Sequence, residues 1–399
     1  MFKITKIELL KLLKQKKTYI ILFMLILLMF TSLKTNSLDM NHIISMNYEN
    51  ATMIDSTKNS INMIKEQLKN DTFTSDEKKE YKEKYLPNAE KELKNVQIIQ
   101  DKNTDPMDKL KAKIELMKCE IFEINSGKLS SGFSMSQYNM ELRYLQHLYD
   151  NKIPESKYPM YNSFNYVLNF FTDIGVAIII LLFAILSSDI VSKEMDDSTI
   201  KLLLVQPVSR FKVLLGKYMA IILSAVCMLL LTFAVFFIIF GFMHGFGTPS
   251  YPVLTHIKYE PHAIPEDSIR YLFDGNSGYF VTSLNLIIKE MLFFILICIT
   301  TVSVSFMISV LINKSVLAIS INVIINAALM YLIYGTTFVK NISQYFYLSY
   351  IRSTDVFTGK IYSILQNTKL IPTQGIIVMI ITIIISFSIS SVVFTKKDM

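Results

Sequence analysis

YMAIILSAVCMLLLTFAVFFIIFGFM, residues 218–243, contains no Asp, Glu, Lys or Arg. An uncharged apolar run of roughly 18 residues or more reads as a helix that crosses a bilayer. Leu370–Thr395 is a second stretch without charge. Working outward from these two, candidate spans fall near residues 18–33, 166–188, 214–243, 291–312, 315–338 and 373–394. The first has the shortest apolar core, Tyr19–Phe30, and follows a basic leader as the core of a signal peptide does. No small-x-small cleavage site follows it, and Thr31-Ser32-Leu33 extends the helix, so it is read as an uncleaved span. The pattern excludes a soluble enzyme, a collagen-like chain and a wholly disordered one. It also excludes an outer-membrane barrel, whose strands alternate apolar and polar over ~10 residues.

The chain has 399 residues, 51% hydrophobic and 18% charged, with a net charge of +7. Cys119, Cys227 and Cys298 are far apart and form neither a disulfide framework nor a zinc spacing. The Lys, Ile and Asn bias points to an AT-rich bacterial genome. Residues 48–125 carry 14 Lys against 16 acids, so the positive excess lies elsewhere. It lies in residues 1–17, in Lys193, Lys201, Arg210, Lys212 and Lys217, in Lys314, and in Lys396-Lys397. With six spans all of these fall on one side, which places both termini in the cytoplasm of a multi-pass cell-membrane protein. The loop with Lys340, Arg352, Lys360 and Lys369 pulls the other way.

Residues 34–165 then form an extracellular helical domain. Thr74-Ser75-Asp76-Glu77 is a capping box, and Asp105-Pro106 sets a cap before a first-turn proline. Leu110, Ile114, Met117, Ile121 and Ile124 make one helical stripe, and Leu86, Ala89, Leu93 and Val96 a second, as in a helical hairpin. Ser134-Met135-Ser136-Gln137 starts a third helix with Leu142, Leu145 and Leu148. Such a domain is either a binding domain or a solvated stalk. Residues 246–290 and 339–372 read as extracellular loops, with Lys289 and Glu290 at the outer interface and Tyr345–Ile371 as a pair of partly embedded helices.

No phosphate-binding loop is present, since Gly216-Lys217-Tyr218 lacks the first glycine and the hydroxyl. There is no zinc-protease motif and no nucleophile elbow. His256 and His262 are six residues apart in a Pro-rich loop, where a metal pair competes with simple solvation. We expect no catalytic residue, no metal and no cofactor bound by this chain. Uphill work then draws on a partner or an ion gradient.

The stretch that speaks most to function is SDIVSKEMDDSTIKLLLVQPVSRFK, residues 188–212, between the second and third spans. Its charged first half and apolar middle suit a short amphipathic helix at the membrane surface, ended by Pro207, with Arg210 and Lys212 at the headgroups. Glu194, Asp196 and Asp197 are acids on the side where Lys is favoured, which points to a protein partner rather than lipid. The N-terminal helix would turn Phe2, Ile4, Ile7, Leu10 and Leu13 to lipid and Lys3, Lys6 and Lys14 to headgroups.

Glu194, Ser198-Thr199, Leu202-Leu203, Pro207-Val208-Ser209-Arg210 and Lys217 resemble the membrane subunit of type-2 ABC exporters. The Lys-rich N-terminal helix with Glu8 and the ending Phe394-Thr395-Lys396-Lys397-Asp398 are similar too. The resemblance implies that residues 189–212 are a coupling segment docking on a separate ATP-binding subunit. It assigns that contact to Glu194, Asp196, Asp197, Ser198, Thr199, Ile200, Lys201, Leu203, Pro207 and Arg210. Family members usually carry Gly-Thr where this chain has Ser198-Thr199, which leaves the turn geometry there open. ATP and Mg would be bound by the partner subunit, and a second permease copy, identical or a sister chain, would complete a dimer.

Inside the spans, Asn322 and Asn326 share a helix face, as do Thr301, Ser305 and Ser309, and Ser386 and Ser390. They, with Asp173 towards the outer end of the second span, either line a translocation path or bond one helix to another at ~0.6 kcal/mol per contact. The sequence reading is an all-α membrane protein, a permease for export. The resemblance allows antimicrobial peptides or other amphiphilic drugs, lipids and glycans, or sodium ions, and the large outer domain leans towards peptide or antibiotic defence. A membrane sensor with a helical ectodomain and a cytoplasmic docking segment is the alternative.

Overall fold

The computed structural model describes residues 2–46, 53–69, 74–126, 134–155, 162–173, 175–199, 208–264 and 268–396, without the side chains of 33–46 and 262–271. The chain is mainly helical: α1 (Phe2–Lys14), α2 (Lys16–Met46), α3 (Met53–Lys69), α4 (Ser75–Glu80), α5 (Leu86–Gln100), α6 (Pro106–Asn125), α7 (Met135–Asp150), α8 (Ser163–Phe170), α9 (Gly175–Ser187), α10 (Ser192–Asp196) and α11 (Arg210–His244). Strands β1 (Pro252–Thr255), β2 (Tyr259–Ile264), β3 (Ser268–Phe273) and β4 (Tyr279–Thr282) follow. Then come α12 (Ser283–Leu311), α13 (Ser315–Gly335), α14 (Ser353–Thr358), α15 (Ile361–Leu365) and α16 (Pro372–Lys396).

Among the described residues five helices are long and apolar enough to cross a membrane: Gly175–Asp196, α11, α12, α13 and α16. The protein is therefore a multi-pass membrane protein. α2, which holds the span expected at 18–33, runs on to Met46 because no Gly or Pro interrupts residues 16–46. It packs along α9 and then α8, from Lys17, which donates to Leu186 O of α9 at 2.9 Å, to Met29, whose carbonyl accepts from Tyr166 of α8 at 3.2 Å. The second span is not one helix. α8 stops at Phe170, Thr172 turns its hydroxyl back to Asn169 O at 2.7 Å, and α9 starts afresh at Gly175. Asn, Thr and Asp favour such local bonds over continued helix, and this corrects the expected span 166–188.

The bundle core is aromatic. Phe171 stacks on Phe233 at 5.2 Å and tilts against Phe294 at 5.1 Å, while Tyr166 stacks on Phe240 at 4.7 Å. In a bilayer, contact shape rather than water exclusion holds helices together. Gly375 shows this: a Cβ there would lie 2.8 Å from the Tyr350 ring and 2.9 Å from Phe293.

The ends of the bundle differ, and the end that carries α1 is called the near end below. At the far end, the expected loop 246–290 contains two antiparallel ribbons, β1 with β4 and β2 with β3. These short ribbons are an addition to a chain that is otherwise helical, as expected of the all-α membrane class. Val253, Leu254 and Thr255 face Val281, Phe280 and Tyr279 in register, an apolar and β-branched pairing that sheet formation favours. The expected loop 339–372 is a compact run of helical turns, including α14 and α15, as the sequence suggested. Glu290, expected at the outer interface, points into the protein rather than to its surface. It is fully buried in α12, and the Thr354 hydroxyl lies 2.9 Å from its Oε2.

The far helical domain follows its sequence signals. Thr74 and Ser134 make reciprocal capping boxes with Glu77 and Gln137, and Asp105 accepts from Met107 N. α5 and α6 pair, burying Ala89, Val96, Leu110 and Ile114, and α7 adds Leu145 and Leu148. Between α4 and α5 the helix widens into a π turn over Tyr81–Tyr85, where Pro87 has no N–H for the carbonyl four residues back. Arg143 of α7 donates to Gly275 O at 2.9 Å, Ser277 O at 2.6 Å and Gly278 O at 3.0 Å, which fastens this domain to the turn before β4. At Gly275 a Cβ would lie 1.9 Å from Ser136 O, so only glycine allows that approach.

Candidate functional site

The near end gathers α1, the start of α2, residues 189–199, the start of α11 and the tip of α16. α1 lies against α11, and Gly216 makes this possible: a Cβ there would be 2.7 Å from Ile4 Cγ2. Ile4 therefore packs on protein rather than facing lipid as expected, while Phe2, Ile7, Leu10 and Leu13 remain exposed. The next residue of α11, Lys217, has a fully buried side chain. It donates to Glu8 Oε2 at 2.8 Å and to Glu194 Oε1 at 2.6 Å. Lys11 reaches the same two carboxylates, at 2.9 Å and 3.4 Å. One lysine thus joins α1, α11 and the segment that follows α9. Burial pushes the Glu8 carboxyl up, but Lys217 and Lys11 outweigh it and hold Glu8 below the usual carboxylate range.

The acids of the segment are mostly answered inside the chain. Asp189 pairs with Lys17, Glu194 with Lys217 and Lys11, and Asp196 accepts from the amide and hydroxyl of Ser315 at 3.2 and 3.1 Å. Of the three acids that the sequence set apart, Glu194 and Asp196 thus have partners inside the chain, and Asp197 does not share them. Ser309 of α12 accepts from Val191 N and Ser192 N at 3.0 and 3.1 Å and so caps α10. Asp197, Ser198 and Thr199 are exposed beyond this anchored base. Ser198 has φ 56°, a left-handed conformation in which glycine carries no steric cost, so Ser198 takes the turn that a Gly-Thr sequence would take freely. Ile200, Lys201, Leu203 and Pro207 lie outside the described residues. Arg210 donates to Thr395 O at 3.3 Å, tying α11 to the end of α16.

The polar residues inside the spans form a second group. Asn322 donates to Ala184 O at 2.9 Å, and its Oδ1 accepts from Ser305 at 3.2 Å and from Asn326 at 2.9 Å. Tyr347 completes the chain by donating to Asn326 Oδ1 at 2.9 Å. All are buried, and these bonds tie α13 to α9, α12 and the turns after α13. Thr301 is buried and bonds back to Ile297 O at 3.0 Å. Asp173 stands apart from this group, exposed at the break between α8 and α9. His256 stacks on Tyr279 at 4.8 Å, and among the described residues no group of His, Cys, Asp and Glu is arranged to hold a metal.

Sequence reasoning noted Lys217 and Glu8 only as parts of a pattern. Their legible signal was a cation near the start of an otherwise uncharged span, with an acid on the helix that precedes the first span. Glu290 gave no such signal, because its neighbour Lys289 is exposed and reads as interfacial.

Comparison with curated proteins finds no match, and neither does comparison with solved structures. The family model described as ABC-2 family transporter protein matches residues 2–399. Permeases of this family are the membrane components of ABC transporters, and the ATP-binding component is a partner. A whole-length match of that kind, on a bundle whose near end is built around Glu8, Lys217 and Glu194, identifies the chain as a member of the ABC-2 family, an ABC transporter permease.

Proposed function

We propose that this permease is the membrane half of an ATP-driven exporter and that residues 196–199 are where the ATP-binding subunit pushes. The observation that carries the reading is the buried Lys217, which makes α1, α11 and the coupling segment one ionic unit directly behind the exposed turn. A displacement of Thr199 would be passed through Glu194 to Lys217 and then to α11 and α1 together, as a rigid-body switch requires. Asp196 on Ser315 and Ser309 on α10 would carry the same displacement to α13 and α12.

In this reading α2 is a sixth crossing, the near end is cytoplasmic with both termini, and residues 34–165 are extracellular. Broad apolar faces on α13 and α16, such as Val316, Ile324, Ile377 and Ile384, remain exposed for lipid or for the second permease of a dimer. ATP and Mg belong to the partner, and this chain needs no cofactor of its own. Export of an amphiphilic antibiotic or peptide fits the large far domain better than sodium or glycan export.

The test is a chain with Thr199→Cys and its native cysteines replaced by Ser, crosslinked in native membranes. Capture of an ATP-binding subunit whose ATP turnover depends on this chain supports the reading. Efficient labelling of Thr199→Cys with no such subunit captured, repeated with Asp197→Cys, would sink it and favour the sensor.

A further inference from the structure

α1 has two faces, and the chain buries only one of them. Ile4, Glu8 and Leu12, at four-residue spacing, turn inward. Ile4 packs on Gly216, Glu8 accepts from Lys217, and Leu12 joins the bundle core. The opposite side carries Phe2, Ile7, Leu10 and Leu13, which remain 44–90% exposed. Lys3, Lys6 and Lys14 stand among them and are exposed as well. Glu8 is the one acid between Met1 and Lys17, and Lys217 holds it inward, so the outer face bears cations without a single anion.

The depth of α1 follows from what it docks on. Gly216 and Lys217 immediately precede the charge-free run Tyr218–Met243, and α11 is long and apolar enough to cross a membrane. The last charge before such a run marks the boundary between headgroups and hydrocarbon. α1 is fastened at that level. Before and after the contact along α11, Phe211, Met219 and Leu223 are exposed, as a lipid-facing surface requires. Lys212, exposed one turn before Gly216 on the same side of α11, adds a cation at headgroup depth. A protein partner suits the outer face of α1 poorly, because protein interfaces are depleted in Lys. Lysines interleaved with apolar residues suit a helix lying in the surface of an anionic membrane, stems on the acyl chains and ammonium groups on the phosphates.

We propose that the outer face of α1 selects anionic phospholipids, with Phe2, Ile7, Leu10 and Leu13 among the acyl chains and Lys3, Lys6 and Lys14 on the headgroups. A zwitterionic headgroup sets a choline beside its phosphate and cancels much of the attraction, whereas a net negative one leaves it whole. Lys217 grips the same helix from its inner side through Glu8, so lipid and ionic joint hold α1 between them. Lipid contact is a property of this chain without its ATP-binding partner. The proposal therefore goes beyond the coupling reading and does not rest on it.

The experiment uses the full chain in lipid nanodiscs. The chain contains no Trp, so one introduced Trp is the only indole that emits. Leu10→Trp is the reporter and Phe2→Trp a second one, both at exposed positions that tolerate the larger ring. Met63→Trp, exposed on α3 of the far domain, is the control. The quencher is phospholipid brominated near the top of its acyl chains. The discs hold phosphatidylcholine with roughly a fifth of phosphatidylglycerol, and bromine is carried either by the glycerol lipid or by an equal amount of the choline lipid. Both reporters should be quenched far more than the control, and at least twice as strongly by the brominated glycerol lipid as by the brominated choline lipid. Lys3→Gln, Lys6→Gln and Lys14→Gln together should cut that preference by more than half. Reporters quenched no more than Met63→Trp would give the face to water or to a protein partner and overturn the proposal. Equal quenching by the two brominated lipids, or a preference that the three substitutions cut by less than half, overturns it too.

Discussion

Replacing Lys217 by Met keeps the length of the side chain and removes its charge, which strands Glu8 and Glu194. The side chains of Lys217, Glu8 and Glu194 are 0%, 7% and 17% exposed. Breaking a buried ion pair by deleting one partner costs about 3–5 kcal/mol. Lys11 remains within 2.9 Å of Glu8, but it is 45% exposed, so it recovers only about 1 kcal/mol. The net loss is about 2–4 kcal/mol, which at roughly 1.4 kcal/mol per tenfold opens the α1–α11 contact some 30- to 1,000-fold more often. An Ile4→Cys chain in a cysteine-free background reads that opening as its rate of maleimide labelling, since Ile4 packs on Gly216 only while α1 is docked. Adding Glu8→Gln removes the stranded charge and should restore much of the protection. A labelling rate unchanged by Lys217→Met, or a double variant more open than the single one, would refute the assignment of Lys217 as the joint.

Four further outcomes are expected. Because Glu8 titrates below its usual range, its contribution to docking is present above about pH 4.3 and is lost as pH falls through its lowered value, so Ile4→Cys labelling should accelerate only on strong acidification. Burial, then Glu123 and Glu120, raises Glu92 to about 7; the stabilisation from its bound proton is full below the usual glutamate range and fades as pH rises through 7. Melting of the far domain should therefore fall between pH 5 and 8, and Glu92→Gln should flatten that slope. Ser198→Gly relieves a left-handed residue of about 1 kcal/mol and should raise the melting temperature slightly, whereas Ser198→Val should lower it. Arg143→Met removes three charged donors from carbonyls of the β4 turn, a loss of about 1.5–3 kcal/mol for a typical charged hydrogen bond, read as faster amide exchange over residues 274–280.

Charge-free runs of bilayer length revealed that helices lie where α11, α12, α13 and α16 do, because the length of an apolar run is a local property, although α12 begins eight residues before the expected 291, in a stretch that carries Lys289 and Glu290. The capping boxes of the far domain were legible for the same reason. The break between α8 and α9 was not, since Phe170, Phe171 and the residues after Gly175 are as apolar as any span, and the turn is marked only by local bonds such as those of Thr172 and Asp173 to Asn169 O and Phe170 O. The β1–β4 ribbon escaped because its paired residues lie 24 to 30 positions apart in sequence, as Thr255 with Tyr279 and Pro252 with Thr282; β2–β3 is a local hairpin that was read only as loop. At the near end, the presence of Glu194 was visible but its direction was not. An acid facing a lysine 23 residues away looks in sequence like one awaiting a partner.

The strand β4 enters α12 with no intervening residue, Thr282 capping the helix at Asn285 N. The same helix receives α10 at Ser309. Over its 29 residues it is about 44 Å long at 1.5 Å per residue. No Gly or Pro occurs between Ser283 and Leu311 to let one end turn without the other. In the proposed cycle α12 would act as a pushrod, with the clamp that Arg143 places on the β4 turn and the cap that Ser309 places on α10 as its two fittings. A disulfide that freezes the far fitting should therefore hold the near one in place, and ATP turnover measured at one face of the membrane would report a bond made on the other.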